Sequence, residues 1–243
     1  MKIHRFIGSF DFSKKEIEIT NPENIKQIKD ILRLQKGEKV ILSDGNGTDA
    51  EVTLNLISKN KITSIVKKIE SAPELTECMR KVNLYLAILK KENFELAVQK
   101  TVEIGVHRII PIITERTIKT GLNFARLEKI MIEASEQSGR SFIPILSPIM
   151  NFKEALIDGS NNQEKTIFTP PIAKNGTSSK DDTYEPNKEA TNISIFIGPE
   201  GGFTEKEIKE ATEAGYNTAS LGSLTLRGET AAMIATYRTA KGI

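Results

Sequence analysis

Two stretches near the end of the chain combine glycine with carboxylates and a cation: "IGPEGGFTEKEI" (residues 197–208) and "LGSLTLRGETAA" (residues 221–232). The first packs Gly198, Pro199, Glu200, Gly201 and Gly202 between the apolar run "NISIFI" and a helix start. Thr204 with Glu207 forms the Ser/Thr-x-x-Glu capping box that opens such a helix. Glycine lets a ligand touch the main chain, and a helix N-terminus offers free N–H groups. In the second stretch Leu221-Gly222 ends a strand, residues 224–227 make a short connection, and Glu229 opens the last helix. Either turn alone could be only a tight turn. Two of them after adjacent strands point to the carboxyl edge of a parallel sheet, where α/β proteins bind ligands.

Phosphate is not the ligand these residues suit. A Walker loop needs Lys-Ser/Thr after its last glycine, and Phe203-Thr204 stands there; the spacing is not G-x-G-x-x-G either. A dinucleotide loop normally opens its sheet, whereas this turn lies about forty residues from the end, with only the strand "TASLG" (218–222) to follow.

The elements that must position these turns fall into two groups. Residues 1–70 alternate short apolar stretches with turn signals and read as a small β module. In it Asp44-Gly45-Asn46-Gly47 marks a hairpin, because glycine and asparagine tolerate the positive φ of such turns. One helix interrupts the module: Ile25, Ile28, Ile31 and Leu32 fall at helical spacing, with Pro22 near its start and Gly37 after its end. After a linker at 70–79 the rhythm becomes strand, helix, strand. "KVNLYLAIL", "RIIPII", "FIPIL", "KTIFT" and "ISIFI" are the strands, and helices follow near residues 90–105, 124–139 and 151. This alternation predicts a parallel α/β sheet with right-handed crossovers. Residues 170–191 have almost no large apolar side chains and read as a mobile loop. The expected division is 1–72 and 73–243.

Composition narrows the partners. The 243 residues are 38% hydrophobic and 27% charged, and no apolar run approaches the roughly 18 residues of a membrane span. Lys2, His4, Arg5 and Asp11 exclude the apolar core of a secretory signal, so a cytoplasmic protein is expected. Cys78 is the one cysteine, and with His4 and His107 far apart in sequence no disulfide and no metal site is expected. The net charge of +2 is uneven: residues 1–70 hold 13 Lys and Arg against 10 Asp and Glu, and the remainder 21 against 22. An N-terminal excess of cations suits a polyanion, and equally a solvated lysine-rich surface.

Taken together, "IGPEGGFTEKEI" and "LGSLTLRGETAA" resemble the paired C-terminal motifs of the RsmE family of 16S ribosomal RNA uridine N3-methyltransferases, of the SPOUT class. "ENFELAVQKTVEIGVHRIIPI", "EASEQSGRSFIP" and "ILRLQKGEKVILSDGNG" match that family in order, so the resemblance covers nearly the whole chain. Departures fall at Gln27, where a histidine is common, and at Ser223 and Thr225; residues 170–191 are also extended. The resemblance implies a SPOUT α/β domain whose C-terminal chain forms a trefoil knot, preceded by a PUA-like β-barrel that binds RNA. It implies S-adenosylmethionine as cofactor, held by Gly198, Glu200, Gly201, Gly202, Leu221, Gly222, Leu224, Leu226 and Arg227. It also implies a homodimer acting on 16S rRNA, in the assembled 30S subunit, with no metal and no membrane.

Methyl transfer from a sulfonium is an in-line displacement, so positioning and electrostatics must do most of the work. On this reading Arg227 stabilises charge on a uracil carbonyl, and Glu200 or Glu229 orients it or accepts the N3 proton; both carboxylates also suit helix N-termini without any catalytic part. Arg5, Arg33, Lys36 and Arg140 are the candidate RNA phosphate contacts. His4 and His107 read as structural, and Arg116 and Arg126 carry no assignment. Three other readings stay open: a SPOUT-class methyltransferase acting on another RNA base, another nucleotide- or phosphate-binding α/β enzyme, and an RNA-binding protein without chemistry.

Overall fold

The computed structural model describes residues 3–71, 78–171, 173–174, 177–178 and 183–243. The chain divides into two compact units, Met1–Glu77 with Ser135–Ile143, and Cys78–Ala134 with Pro144–Ile243. Most of the linker expected at 70–79 lies outside the described residues.

The first unit is a five-stranded sheet of β1 (His4–Ile7), β2 (Glu16–Ile19), β3 (Lys39–Ser43), β4 (Thr48–Ile57) and β5 (Ile62–Ser71), in the order β1-β3-β4-β5-β2. β1 and β3 run parallel and the other neighbours antiparallel. The long β4 shifts register twice against β5, at Glu51/Val52 and Leu54/Leu56, and bulges of this kind bend a strand. The hairpin expected at residues 44–47 joins β3 to β4. Gly45 and Gly47 both take positive φ there, and the Asp44 carboxylate accepts the N–H groups of Asn46 and Thr48 at 2.7 and 2.9 Å. Phe6, Ile17, Ile28, Leu42, Val52 and Ile62 form the core beneath the sheet. The stretch Ser135–Ile143 adds to this unit in a way that a contiguous boundary does not foresee. The carboxylate of Glu136 accepts the N–H of Ile7 at 2.7 Å, and the carbonyl of Ser141 accepts that of Gly47 at 3.0 Å.

The helix of this unit is shorter than its apolar spacing suggests. Helix α1 (Pro22–Lys26), capped by Asn21, passes into a π turn at Gln27–Ile31. It stops at Arg33, whose φ of 53° is left-handed, rather than at Gly37. The wider turn brings Leu32 and Leu34 back against the core, and this packing outweighs the local preference for a continued α-helix.

The second unit is the expected parallel α/β sheet. Its strands are β6 (Lys81–Ala87), β7 (Arg108–Ile113), β8 (Ile145–Leu146), β9 (Met150–Asn151), β10 (Glu164–Phe168), β13 (Asn192–Ile197) and β14 (Asn217–Ala219). They lie in the order β14-β10-β13-β6-β7-β8, with β9 also on β7, and every pairing is parallel. The helices are α2 (Lys91–Ile104), α3 (Phe124–Ser138), α4 (Phe152–Asp158), α5 (Glu205–Glu213) and α6 (Gly228–Lys241). α2 ends at Gly105, which takes φ 109°, and Asn151 opens α4 with a capping box. Tyr85 stacks on Phe196 with centroids 4.2 Å apart, and Phe152 and Tyr216 meet Phe196 edge-on. On the other side α6 packs on α2, β6 and β13. Burial raises the phenol pKa values of Tyr85, Tyr184 and Tyr216. They stay neutral donors to Asp158, Glu164 and the Leu156 carbonyl at 2.6, 2.7 and 2.9 Å.

The polar stretch at 170–191 is not wholly the loose loop its composition suggests. Residues 172, 175–176 and 179–182 lie outside the described residues, but β11 (Ala173–Lys174) pairs with β12 (Thr177–Ser178). Tyr184 is buried, donating its hydroxyl to Glu164 and its N–H to the Ser220 carbonyl at 2.9 Å. One aromatic side chain with polar partners is enough to tie down the end of the segment, which an average over composition does not register. Among the described residues no helix is long and apolar enough to cross a membrane.

Candidate functional site

At the carboxyl ends of β10, β13 and β6 the second unit forms an open cavity of about 500 Å³, within the range of small-molecule sites. β13 leads into the turn at 198–202, where the N–H of Gly202 donates to the Pro199 carbonyl at 2.8 Å and Gly202 takes φ 68°. From this turn Gly198, Pro199, Glu200 and Gly202 line the cavity. The connection out of β14 supplies Leu221, Leu224, Thr225, Leu226 and Arg227, and the start of α6 supplies Gly228, Glu229 and Ala231. The end of β10 adds Phe168, Thr169, Pro170 and Pro171, and the start of α2 adds Lys90 and Asn93.

The two C-terminal stretches therefore face one space. Of the positions expected to cradle a cofactor, Gly198, Glu200, Gly202, Leu221, Leu224, Leu226 and Arg227 line it, while Gly201 and Gly222 do not. Gly201 turns its carbonyl to Arg116, which donates from Nη1 at 2.8 Å. Gly222 takes φ 128° in the connecting turn. Sequence reasoning missed Lys90, Asn93, residues 168–171 and Gly228. The pair Pro170-Pro171 directly after an apolar strand was the available signal, since it marks one more strand end on the same edge. Gly228 is needed for close approach: a Cβ there would lie 2.8 Å from Cδ2 of Leu89 and 3.5 Å from the Gly198 carbonyl oxygen.

The two carboxylates differ in their surroundings. Glu200 is exposed, and its Oε1 accepts the N–H of Lys90 at 3.1 Å. Lys90 is the N-cap of α2 and its own side chain makes no capping bond, so Glu200 supplies negative charge at that helix end. Glu229 is 7% exposed, and its Oε2 is buried without a hydrogen-bond partner. A carboxylate oxygen withdrawn from water and left unpaired costs stability, and a donor brought by a ligand removes that cost. Beside it Arg227, the N-cap of α6, is exposed and has no ion pair among the described residues. The cavity thus offers main chain opened by glycine, a buried acceptor and an exposed cation. Such a set can hold a neutral or cationic nucleoside-sized ligand and move one proton.

Two of the four expected phosphate contacts lie within the interior of the first unit. Arg5 is buried against Asp49, with Nη1 2.7 Å from Oδ1 and side-chain exposures of 7% and 9%. Arg140 is likewise buried, at 5% exposure. Both side chains are taken up by the interior of the unit. Arg33 and Lys36 are exposed.

Comparison with known proteins agrees with this arrangement. A family described as RNA methyltransferase domain matches residues 76–239, and one described as RNA methyltransferase PUA domain matches residues 19–67. Ribosomal RNA small subunit methyltransferase E of Rickettsia conorii is 31% identical over 239 residues, covering 97% of this chain and 94% of the relative. The protein of that name from Mesomycoplasma hyopneumoniae is 34% identical over 185 residues, covering 74% and 77%. A crystal structure of ribosomal RNA small subunit methyltransferase E from Neisseria gonorrhoeae, bound to S-adenosyl methionine, superposes with a TM-score of 0.81 at 30% identity, covering 97% of this chain and 95% of that one. A family match to most of the second unit and relatives aligned over nearly the whole chain lead to one conclusion: the chain belongs to the ribosomal RNA small subunit methyltransferase E family.

Proposed function

We propose that this protein methylates N3 of a uridine in 16S ribosomal RNA with S-adenosylmethionine as donor, acting on the assembled 30S subunit. The observation that carries the reading is the unpaired, buried Oε2 of Glu229 in the wall of a glycine-backed cavity, with Arg227 unengaged beside it. The residues suit that cofactor. The main chain at Gly198 and Gly202 can meet a flat base and a ribose, and Leu221, Leu224 and Leu226 add apolar surface. When bound, the cofactor supplies a methyl group on a positively charged sulfur. Glu229 accepts the N3 proton as the ring nitrogen becomes the nucleophile. Arg227 donates to a uracil carbonyl and stabilises the negative charge that develops there. Glu200 fixes the glycine turn to the start of α2 and leaves the proton to Glu229.

Residues 1–72 serve in this reading as a PUA-like β-barrel that holds RNA, with Arg33 and Lys36 toward phosphate. Residues 73–243 form a SPOUT domain closed by a trefoil knot. Support for the barrel is the bulged five-stranded sheet and the PUA match over 19–67. Support for the knot is the path of the chain: β13 inserts between β10 and β6, the chain runs out to β14, and α6 returns against α2 and β13. The protein works in the cytoplasm as a homodimer.

Calorimetry and base mapping test the function. S-adenosylmethionine should bind the purified protein and ATP should not. Small-subunit RNA from cells lacking the gene should lose one N3-methyluridine. Loss of a methyl mark on a different base would sink the uridine assignment, and binding of ATP alone would sink the methyltransferase reading.

A further inference from the structure

Arg116 lies outside the cavity, in the loop that follows β7. That loop is closed on itself: Thr114 receives the N–H of Thr117 at 3.1 Å, and the two hydroxyls pair at 2.9 Å. From this base Arg116 Nη1 donates to the carbonyl of Gly201 at 2.8 Å and to that of Phe203 at 3.4 Å. A Cβ added to Gly201 would sit 3.4 Å from Cβ and Cδ of Arg116, so the arginine stem lies along the bare glycine. The neighbouring N–H of Glu115 donates to Oε1 of Glu207 at 2.8 Å, and Glu207 is the residue that closes the capping box of α5. The glycine turn is thus held from outside by the loop after β7 and, through Glu200 and Lys90, by the start of α2.

We propose that Arg116 is a positioning residue for cofactor binding, one that sets the peptide planes at Gly201 and Phe203 so that Gly198, Glu200 and Gly202 face the cavity before the cofactor arrives. A charged donor holds a carbonyl more firmly than a neutral one, and a planar guanidinium fixes orientation as well as distance. Without it, glycine-rich main chain would sample other conformations, and binding would have to offset their loss. The inference rests on reading the cavity as the S-adenosylmethionine site.

The test compares wild type, Arg116→Ala and Arg116→Lys as full-length proteins. Calorimetry with S-adenosylmethionine should show affinity falling about tenfold in Arg116→Ala, the equivalent of ~1.4 kcal/mol. Arg116→Lys should lie between, because an ammonium reaches one carbonyl but not two in a plane. At saturating cofactor, turnover should stay within about threefold of wild type and the KM for RNA should not move, since the loss is in ground-state binding. Unchanged cofactor affinity in a folded Arg116→Ala would overturn the inference, with or without a lower melting temperature. A raised KM for RNA with normal cofactor affinity would overturn it too, and would make Arg116 an RNA contact. Should Arg116→Ala fail to fold, the affinity of Arg116→Lys decides. Failure of the wild type to bind S-adenosylmethionine would instead remove the reading of the cavity itself.

Discussion

Two glutamates near one cavity are similar in sequence and unlike in structure. Glu200 is exposed and bonded to the main chain of Lys90, whereas Glu229 keeps one buried oxygen free. Glu229→Gln preserves shape and removes the proposed base, so turnover should fall by roughly 10²-fold or more while cofactor affinity stays close to wild type. Activity of that variant should recover partly as pH rises, because solvent base can then take the N3 proton. Glu200→Gln should cost far less in turnover. Steady-state kinetics and calorimetry on the two variants check this; a loss of cofactor binding in Glu229→Gln with normal turnover at saturation would make Glu229 a cofactor ligand rather than a base. The type of each residue was legible in the sequence, but its hydrogen-bond partners were not. Lys90 lies 110 residues from Glu200 along the chain.

At the level of elements, the junctions that carry the site depend on close approach of main chain. The start of α6 sits against Leu89, which is 1% exposed, and Gly228 makes that possible. Alanine in place of glycine in a helix interior is normally favourable by up to about 1 kcal/mol. Here a methyl 2.8 Å from a buried leucine terminus is overpacking, which costs about 1–3 kcal/mol and should prevail. Gly228→Ala should therefore unfold at lower urea, and its cost should be smaller in a Leu89→Ala background, which is itself destabilised by the cavity it leaves. An equal cost of Gly228→Ala in both backgrounds would remove the clash as its cause. The capping boxes of α4 and α5 and the hairpin at 44–47 were readable because each is local. The early stop of the first helix at Arg33 was not, since Leu32 and Leu34 turn back to a core built by distant strands.

For the whole molecule, the proposed homodimer has a candidate face on the last helix. α6 buries Ala232, Ala235, Thr236 and Thr239, while Tyr237 is 47% exposed and Met233 and Ile234 are half-buried. A chain of 27.0 kDa that pairs through this face should scatter light as a particle of twice that mass at micromolar concentration. Tyr237→Glu should shift it toward the monomer. A wild-type protein of monomer mass would count against the homodimer.

The sequence by itself determined the alternation of elements, the two glycine-rich junctions and their exclusion as phosphate loops, because these depend on periodicity, caps and spacing within a few residues. It also carried the family resemblance, which extends over nearly the whole chain. Tertiary structure alone decided which of the candidates meet. It brought residues 168–171 and the start of α2 to the same cavity, left Gly201 facing Arg116, and buried Arg5 and Arg140. It also separated Glu200, spent on holding a helix end, from Glu229, left with an unpaired oxygen. The reason is physical: a carboxylate or guanidinium acts according to its solvation and partners, and those are set by strand order and packing across long stretches of chain.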